Sequence, residues 1–218
     1  MNDYAVIKGN CGQADSSAQG QQFAISLGRS GEMLVSELRA RFDEATRRGV
    51  KFSATFTAAA TAAATTSALC VIMNPPGSGK MLVFQDAFVA LTAYTAQTLA
   101  GSSVALGGFL AATIPSTVGS AVTPVNCNIG GPSNSVAKAW ASATVGVAPV
   151  VVRQLAAWAL GTATPGADVV GGIHDDISGA VQLSPGYGIA IFGLGGTPAD
   201  LTIQPTLTWD EVPIAQVP

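Results

Sequence analysis

The segment Leu201-Thr202-Ile203-Gln204-Pro205-Thr206-Leu207-Thr208-Trp209 carries the plainest structural signal in the chain. Leu201, Ile203, Leu207 and Trp209 are separated by Thr202, Gln204 and Thr208. A period of two belongs to a β-strand with one buried face and one wet face. Trp209, the largest apolar side chain of the set, is expected inside. Pro205 cannot donate to a strand ladder, so it marks a bulge or an edge.

Upstream, Ile189 and Ile191 alternate in the same way between the turn pairs Pro185-Gly186 and Thr197-Pro198. Leu69-Cys70-Val71-Ile72-Met73 is continuously apolar instead, as in a strand covered on both faces. From Val50 onward, short runs of Thr, Val, Ala and Ile cut by Gly and Pro predict strands over 50–57, 67–74, 80–94, 103–113, 119–127, 136–147, 149–160, 179–183, 187–193 and 199–209. The Ala/Thr-rich stretch Thr57 to Thr66 reads as a flat strand or a loop, because β-branched Thr disfavours a helix. Many short strands with turn signals between them make the chain mainly β, with a jelly-roll-like β-sandwich over residues 50–218.

Residues 1–49 read as an N-terminal arm carrying one short helix. Gly9, Gly12, Gly20 and Gly28 sit among Ser, Gln and Asn with no period. Over 30–49, Leu34, Leu38, Phe42 and Ala45 recur at helical spacing. Ser30 can cap the start, Glu32 suits the first turn, and Glu37 to Arg41 is a favourable pair four residues apart. Arg47 and Arg48 suit the last turn, and Gly49 stops the helix. An extended arm carrying the same residues is the other reading.

Charge is scarce. Asp, Glu, Lys and Arg make up 11% of the 218 residues, against roughly 25% in ordinary domains. A surface so poor in charge is largely Ala, Thr, Ser and Gly, and such a surface suits contact with other protein, which points to a homo-oligomeric subunit. Six of the ten basic residues lie between Arg29 and Lys51, while Asp168, Asp175, Asp176, Asp200, Asp210 and Glu211 lie near the C-terminal end. Leu34, Leu38 and Phe42 are therefore expected to pack while Arg39, Arg41, Arg47 and Arg48 meet an acidic partner surface. No membrane contact is expected: Lys138, Pro149 and Arg153 interrupt the apolar run from Val136 to Leu160. The start Met1-Asn2-Asp3-Tyr4 shows no secretory pattern. Cys11, Cys70 and Cys127 lack metal-ligand spacing and are expected to be buried or neutral thiols.

Catalytic patterns fail on inspection. Asn74-Pro75-Pro76-Gly77-Ser78-Gly79-Lys80 resembles the end of a phosphate-binding loop, but Asn74 replaces its first Gly and Met81 its Ser or Thr, so a hairpin turn is expected. His174-Asp175-Asp176 sits among Gly171, Gly172 and Gly179, as in an exposed loop with at most weak affinity for Ca²⁺. Ser102, Ser120 and Ser184 have no nucleophile-elbow context, and Gly193-Leu194-Gly195-Gly196 opens no dinucleotide fold. Aromatic residues, 6% of the chain, do not interleave with basic ones, so no nucleic-acid partner is expected. The expectation is a non-enzyme without cofactor or metal.

Gly28-Arg29-Ser30-Gly31-Glu32-Met33-Leu34-Val35-Ser36-Glu37-Leu38, running through Arg47-Arg48-Gly49 to Phe52-Ser53-Ala54, resembles virion structural proteins of tailed bacteriophages. Asn74 to Lys80, Leu183-Ser184-Pro185-Gly186-Tyr187 and Thr208-Trp209-Asp210-Glu211 resemble the same group, about a third of the chain in all. The resemblance implies a capsid decoration (cement) protein, often a jelly roll sitting as a dimer or trimer on the outer shell. It would be made in the host cytoplasm and would bind the major capsid protein and other copies of itself. A head-fibre base, a tail-associated adaptor and a shell protein remain alternatives. So does a carbohydrate-binding or hydrolytic β-sandwich, for which Asp175 with Asp210 is the one carboxylate pair, though few aromatics are present for sugar stacking.

Overall fold

A computed structural model of the protein describes residues 42–60, 68–94, 102–110, 119–131, 134–158, 171–194 and 201–214. All of these residues belong to one compact unit, Phe42–Pro218. Leu34, Leu38, Arg39 and Arg41 lie outside the described residues. Along this unit run α1 (Asp43–Arg47), β1 (Lys51–Thr55), β2 (Ala58–Ala60), β3 (Ala68–Met73), β4 (Lys80–Tyr94), β5 (Ser102–Leu110) and β6 (Ser120–Val122). Then come β7 (Val125–Asn126), β8 (Lys138–Ala141), β9 (Val150–Trp158), β10 (Gly171–Leu183), β11 (Tyr187–Leu194) and β12 (Leu201–Pro213).

The helix expected over 30–49 is described only as its last turn, α1, and that turn ends as its sequence demands. Gly49 adopts φ 69°, its N–H donates to the Thr46 carbonyl at 2.9 Å, and the Val50 N–H donates to the Ala45 carbonyl at 3.1 Å. These are the paired bonds of a Schellman stop, and the left-handed position falls on the residue that tolerates it.

All strand pairs are antiparallel. One sheet runs β10-β4-β12-β1-β7, with β2 also on β12, and the other runs β6-β8-β3-β11-β5-β9. The pairs are nested: β1 with β12, β3 with β11, β4 with β10 and β5 with β9. Members of each sequential couple, β3 and β4 or β10 and β11, lie in opposite sheets. A folded-over ribbon of this kind is a jelly roll. Asn74 to Lys80 is accordingly a corner between sheets, not the hairpin the sequence suggested. β10 begins at Gly171, eight residues before the strand expected at 179–183, so His174, Asp175 and Asp176 belong to a strand and not a loop.

Phe52, Ala54, Phe84, Leu207 and Trp209 of the first sheet share one core with Ile72, Leu106, Ile189 and Ile191 of the second. Trp209 is fully buried, as its alternation predicted, with Phe52 stacked at 6.4 Å and Phe84 tilted at 6.1 Å between ring centroids. The second sheet is covered on its other face too. Val71, Ala105, Ala190 and Phe192 pack there under Ala143 and Val145, which explains the continuously apolar reading of β3. Pro205 sits in the central strand β12, at the gap where β1 ends and β2 begins, and its carbonyl accepts the Phe56 N–H at 2.9 Å. The missing donor thus falls where the neighbouring ladder is interrupted. Truncation of Trp209 to Ala is expected to cost about 3–5 kcal/mol through lost transfer energy and a cavity, read as a fall in Tm and in the midpoint of urea unfolding.

Candidate functional site

Polar groups buried among the described residues cluster at two places; most have structural partners, while Lys51 Nζ and Asp210 Oδ1 of the second have no hydrogen-bond partner. At the corner between β3 and β4, Asn74 is fully buried. Its Nδ2 donates to the carbonyls of Lys80 at 2.8 Å and Leu183 at 2.9 Å, while its Oδ1 accepts from Ser78 Oγ at 2.6 Å. Glu211, on β12, is 1% exposed. Its carboxylate takes Lys80 Nζ at 2.9 Å, Ser135 Oγ at 2.6 Å and the Val136 N–H at 2.9 Å. The lysine of the phosphate-loop-like segment is therefore the counter-ion of a buried carboxylate. Replacing it with Ala leaves that charge unpaired. We expect Lys80→Ala to cost about 2–4 kcal/mol, with no heat on titration of ATP and Mg²⁺ before or after the change.

A second cluster lies on the outer face of the first sheet, where alternation turns Lys51 and Asp210 away from the core residues Phe52 and Trp209. Lys51 Nζ lies 3.6 Å from the Phe42 ring centroid and 4.0 Å from Asp86 Oδ2. Asp210 accepts from Gln85 Nε2 at 2.8 Å, and Asp86 accepts from Thr208 Oγ1 at 3.1 Å and faces His174 Nε2 at 3.2 Å. Of the residues expected to bind a partner, Phe42 is thus half-buried against Lys51, and Arg47 and Arg48 are exposed in the last turn of α1. The Gly49 carbonyl accepts from Asn126 Nδ2 at 2.7 Å, which ties that end of α1 to β7.

Burial raises the Asp210 carboxyl above the ordinary range, with Asp86 adding to it and Lys51 and Gln85 opposing it. Because its folded pKa exceeds the unfolded one, Asp210 binds its proton more tightly in the native state. Its ionisation therefore removes stability as pH rises above the usual carboxylate range. Asp210→Asn is expected to abolish this fall, so its Tm should gain on the parent's from about pH 4 upward. Burial also raises the Cys70 thiol to about 12 and the Cys127 thiol above its ordinary value. Both remain neutral at pH 7, as expected; Cys11 lies outside the described residues.

The two sheets are latched at one lateral margin. Arg153 of β9 donates Nε to Asp175 Oδ2 at 2.6 Å and Nη2 to Asp175 Oδ1 at 2.7 Å. Asp175 and Asp210, the carboxylates weighed for hydrolysis, thus hold different partners on different strands. Residues of β5, β9, β10 and β11 line a cavity of about 450 Å³, among them Gly108, Leu110, Val150, Gln182, Leu183 and Tyr187. Three of its lining residues, Leu110, Tyr187 and Val150, are exposed, and Val151 and Val152, which follow Val150 on β9, are exposed too. On the opposite margin Ile129, at the turn after β7, is 95% exposed. Sequence reasoning passed over this surface, although three adjacent valines on an edge strand are its legible trace. No group of three His, Cys, Asp or Glu side chains able to hold a metal occurs among the described residues. No protein-family model matches the chain, and no curated protein matches it in sequence.

Proposed function

We propose that the chain is a structural subunit of a tailed-phage virion that binds the outer capsid surface and cross-links capsomers, with the major capsid protein and further copies of itself as partners. The observation that carries this reading is the row Val150, Val151 and Val152, exposed together on an edge strand of a chain with 11% charged residues. Contiguous exposed apolar side chains mark protein contact. The jelly roll supports the reading by analogy of fold, since viral shells and lectins both use it. The corner cluster supports it as well, because the Asn74 and Glu211 side chains are engaged in holding that corner together. Weak contacts repeated by capsid symmetry sum to firm attachment.

The test is direct. Particles produced from the genome that encodes the chain, purified on a density gradient, are examined by mass spectrometry and cryo-electron microscopy. The chain is expected in a fixed ratio to the capsid protein, with density on the outer shell. Particles that lack it, or that carry it only inside the shell, refute the reading.

A further inference from the structure

The cavity of about 450 Å³ has the size of a small-molecule site, and its walls differ in chemistry. Tyr187 of β11 lies opposite Leu110 of β5, and Gly108 lies opposite both Ile189 of β11 and Val150 of β9. Cross-strand partners and residues two apart share a face of a sheet. These residues therefore continue the face on which Ile189 meets the core. Ile189 is buried, whereas Tyr187 is 48% and Leu110 49% exposed. One of the chain's few aromatic rings thus stands in the lining of an open cleft. Gly108 leaves room beneath it: a Cβ there would meet nothing nearer than Val152 Cγ2 at 3.8 Å.

The remaining wall is polar. Gln182 and Ser184, both exposed, come from the end of β10 and the turn into β11. Buried Asn74 fixes this wall by three bonds. Its Nδ2 donates to the Leu183 carbonyl at 2.9 Å, its N–H donates to the Tyr187 carbonyl at 3.0 Å, and its carbonyl accepts from the Gly186 N–H at 2.8 Å. The Ser184 and Tyr187 hydroxyls have no hydrogen-bond partner among the described residues. A wall held this way has its polar groups in place before a ligand arrives.

None of the described lining residues is charged. An ionic ligand would lose water there without a counter-charge, and a wholly apolar one would strip water from Gln182 and Ser184 without replacing it. The lining fits a neutral ligand with an apolar face and hydroxyls at its edge. A neutral sugar ring is built so: its C–H groups pack on an aromatic ring while its hydroxyls meet amide and hydroxyl side chains.

We propose that this cleft binds a neutral saccharide, with Tyr187 stacked on the sugar ring, Gln182 and Ser184 bonding its hydroxyls, and Asn74 as the positioning residue. No described carboxylate lines the cleft, so the sugar is held and not hydrolysed there. The inference goes beyond the structural role proposed above and does not rest on it.

Amide chemical shifts of the isotope-labelled full chain, titrated with the methyl glycosides of glucose, galactose, mannose and N-acetylglucosamine, test this. At millimolar concentration at least one glycoside is expected to shift the amides of Gly108, Leu110, Ser184 and Tyr187 and to leave that of Ile129 in place. Toluene, which lacks hydroxyls, and N-acetylneuraminic acid, which is charged, are expected to shift none of them. Tyr187→Ala and Gly108→Leu should each weaken binding at least about tenfold, and Ser184→Ala about threefold. Gly108 does not use a left-handed φ, so a side chain there fills the cleft without backbone strain. Val212→Ser, exposed elsewhere, should bind as the parent does. Melting curves check folding, and if Tyr187→Ala unfolds, the Gly108 and Ser184 variants decide. The proposal is overturned if no glycoside moves these amides, if toluene or N-acetylneuraminic acid moves them equally, or if Gly108→Leu binds like the parent. Sugar binding by a chain that particles lack refutes the virion reading alone; particles that carry a chain blind to all four glycosides refute the sugar site alone.

Discussion

A single buried carboxylate organises one end of this sandwich. Glu211 belongs to the central strand β12, yet its oxygens hold Lys80 from the corner and Ser135 with Val136 from the segment leading into β8. An ionised group that is 1% exposed is tolerated only when charge and hydrogen bonds replace its water. Three partners from two distant stretches supply that replacement here. The cost of burying the charge thereby becomes a requirement that both stretches come to the same place. The neighbouring Asn74 works in the same manner: its amide joins the Lys80 and Leu183 carbonyls, so the ends of β4 and β10 cannot drift apart.

How much of this was legible in the sequence depends on how local the signal is. The alternation around Trp209 and the unbroken apolar run in β3 reflect which side chains touch core, and both read correctly, as did the limits of β4 at 80–94. The first half of β10 did not. Gly171, Gly172, His174, Asp175 and Asp176 are loop formers by local preference, and their strand is imposed by pairing with β4 and by the Arg153 latch. The single strand expected over 119–127 is two short ones in different sheets, β6 and β7, because Thr123-Pro124 interrupts it at the sandwich's margin.

The candidate contact residues show the same division. Helical spacing singled out Phe42, Arg47 and Arg48, but spacing cannot reveal that Phe42 would lie on Lys51. Nor does an isolated Ile129 differ, in sequence, from the isoleucines of the core. Only the turn geometry around Asn126 and Asn128 makes it project. Exposure of Val150 to Val152 likewise follows from strand order, which puts β9 last in its sheet.

The nested pairing has a consequence for how the chain reaches this state. Lys51 lies opposite Asp210, and β4 lies between β10 and β12. Almost no strand finds its ladder partner next to it along the chain. The first sheet therefore cannot be completed before β12: β4 can pair with β10, and β1 with the short β7, but β12 is the strand that joins them. Loop-closure entropy of this size slows folding to milliseconds or longer. Meanwhile β3 and β11, apolar on both faces, have nothing to cover them. A shortage of charge, 11% of the residues, gives weak protection during that interval, so β3 and β11 are the segments most open to aggregation until the sandwich closes.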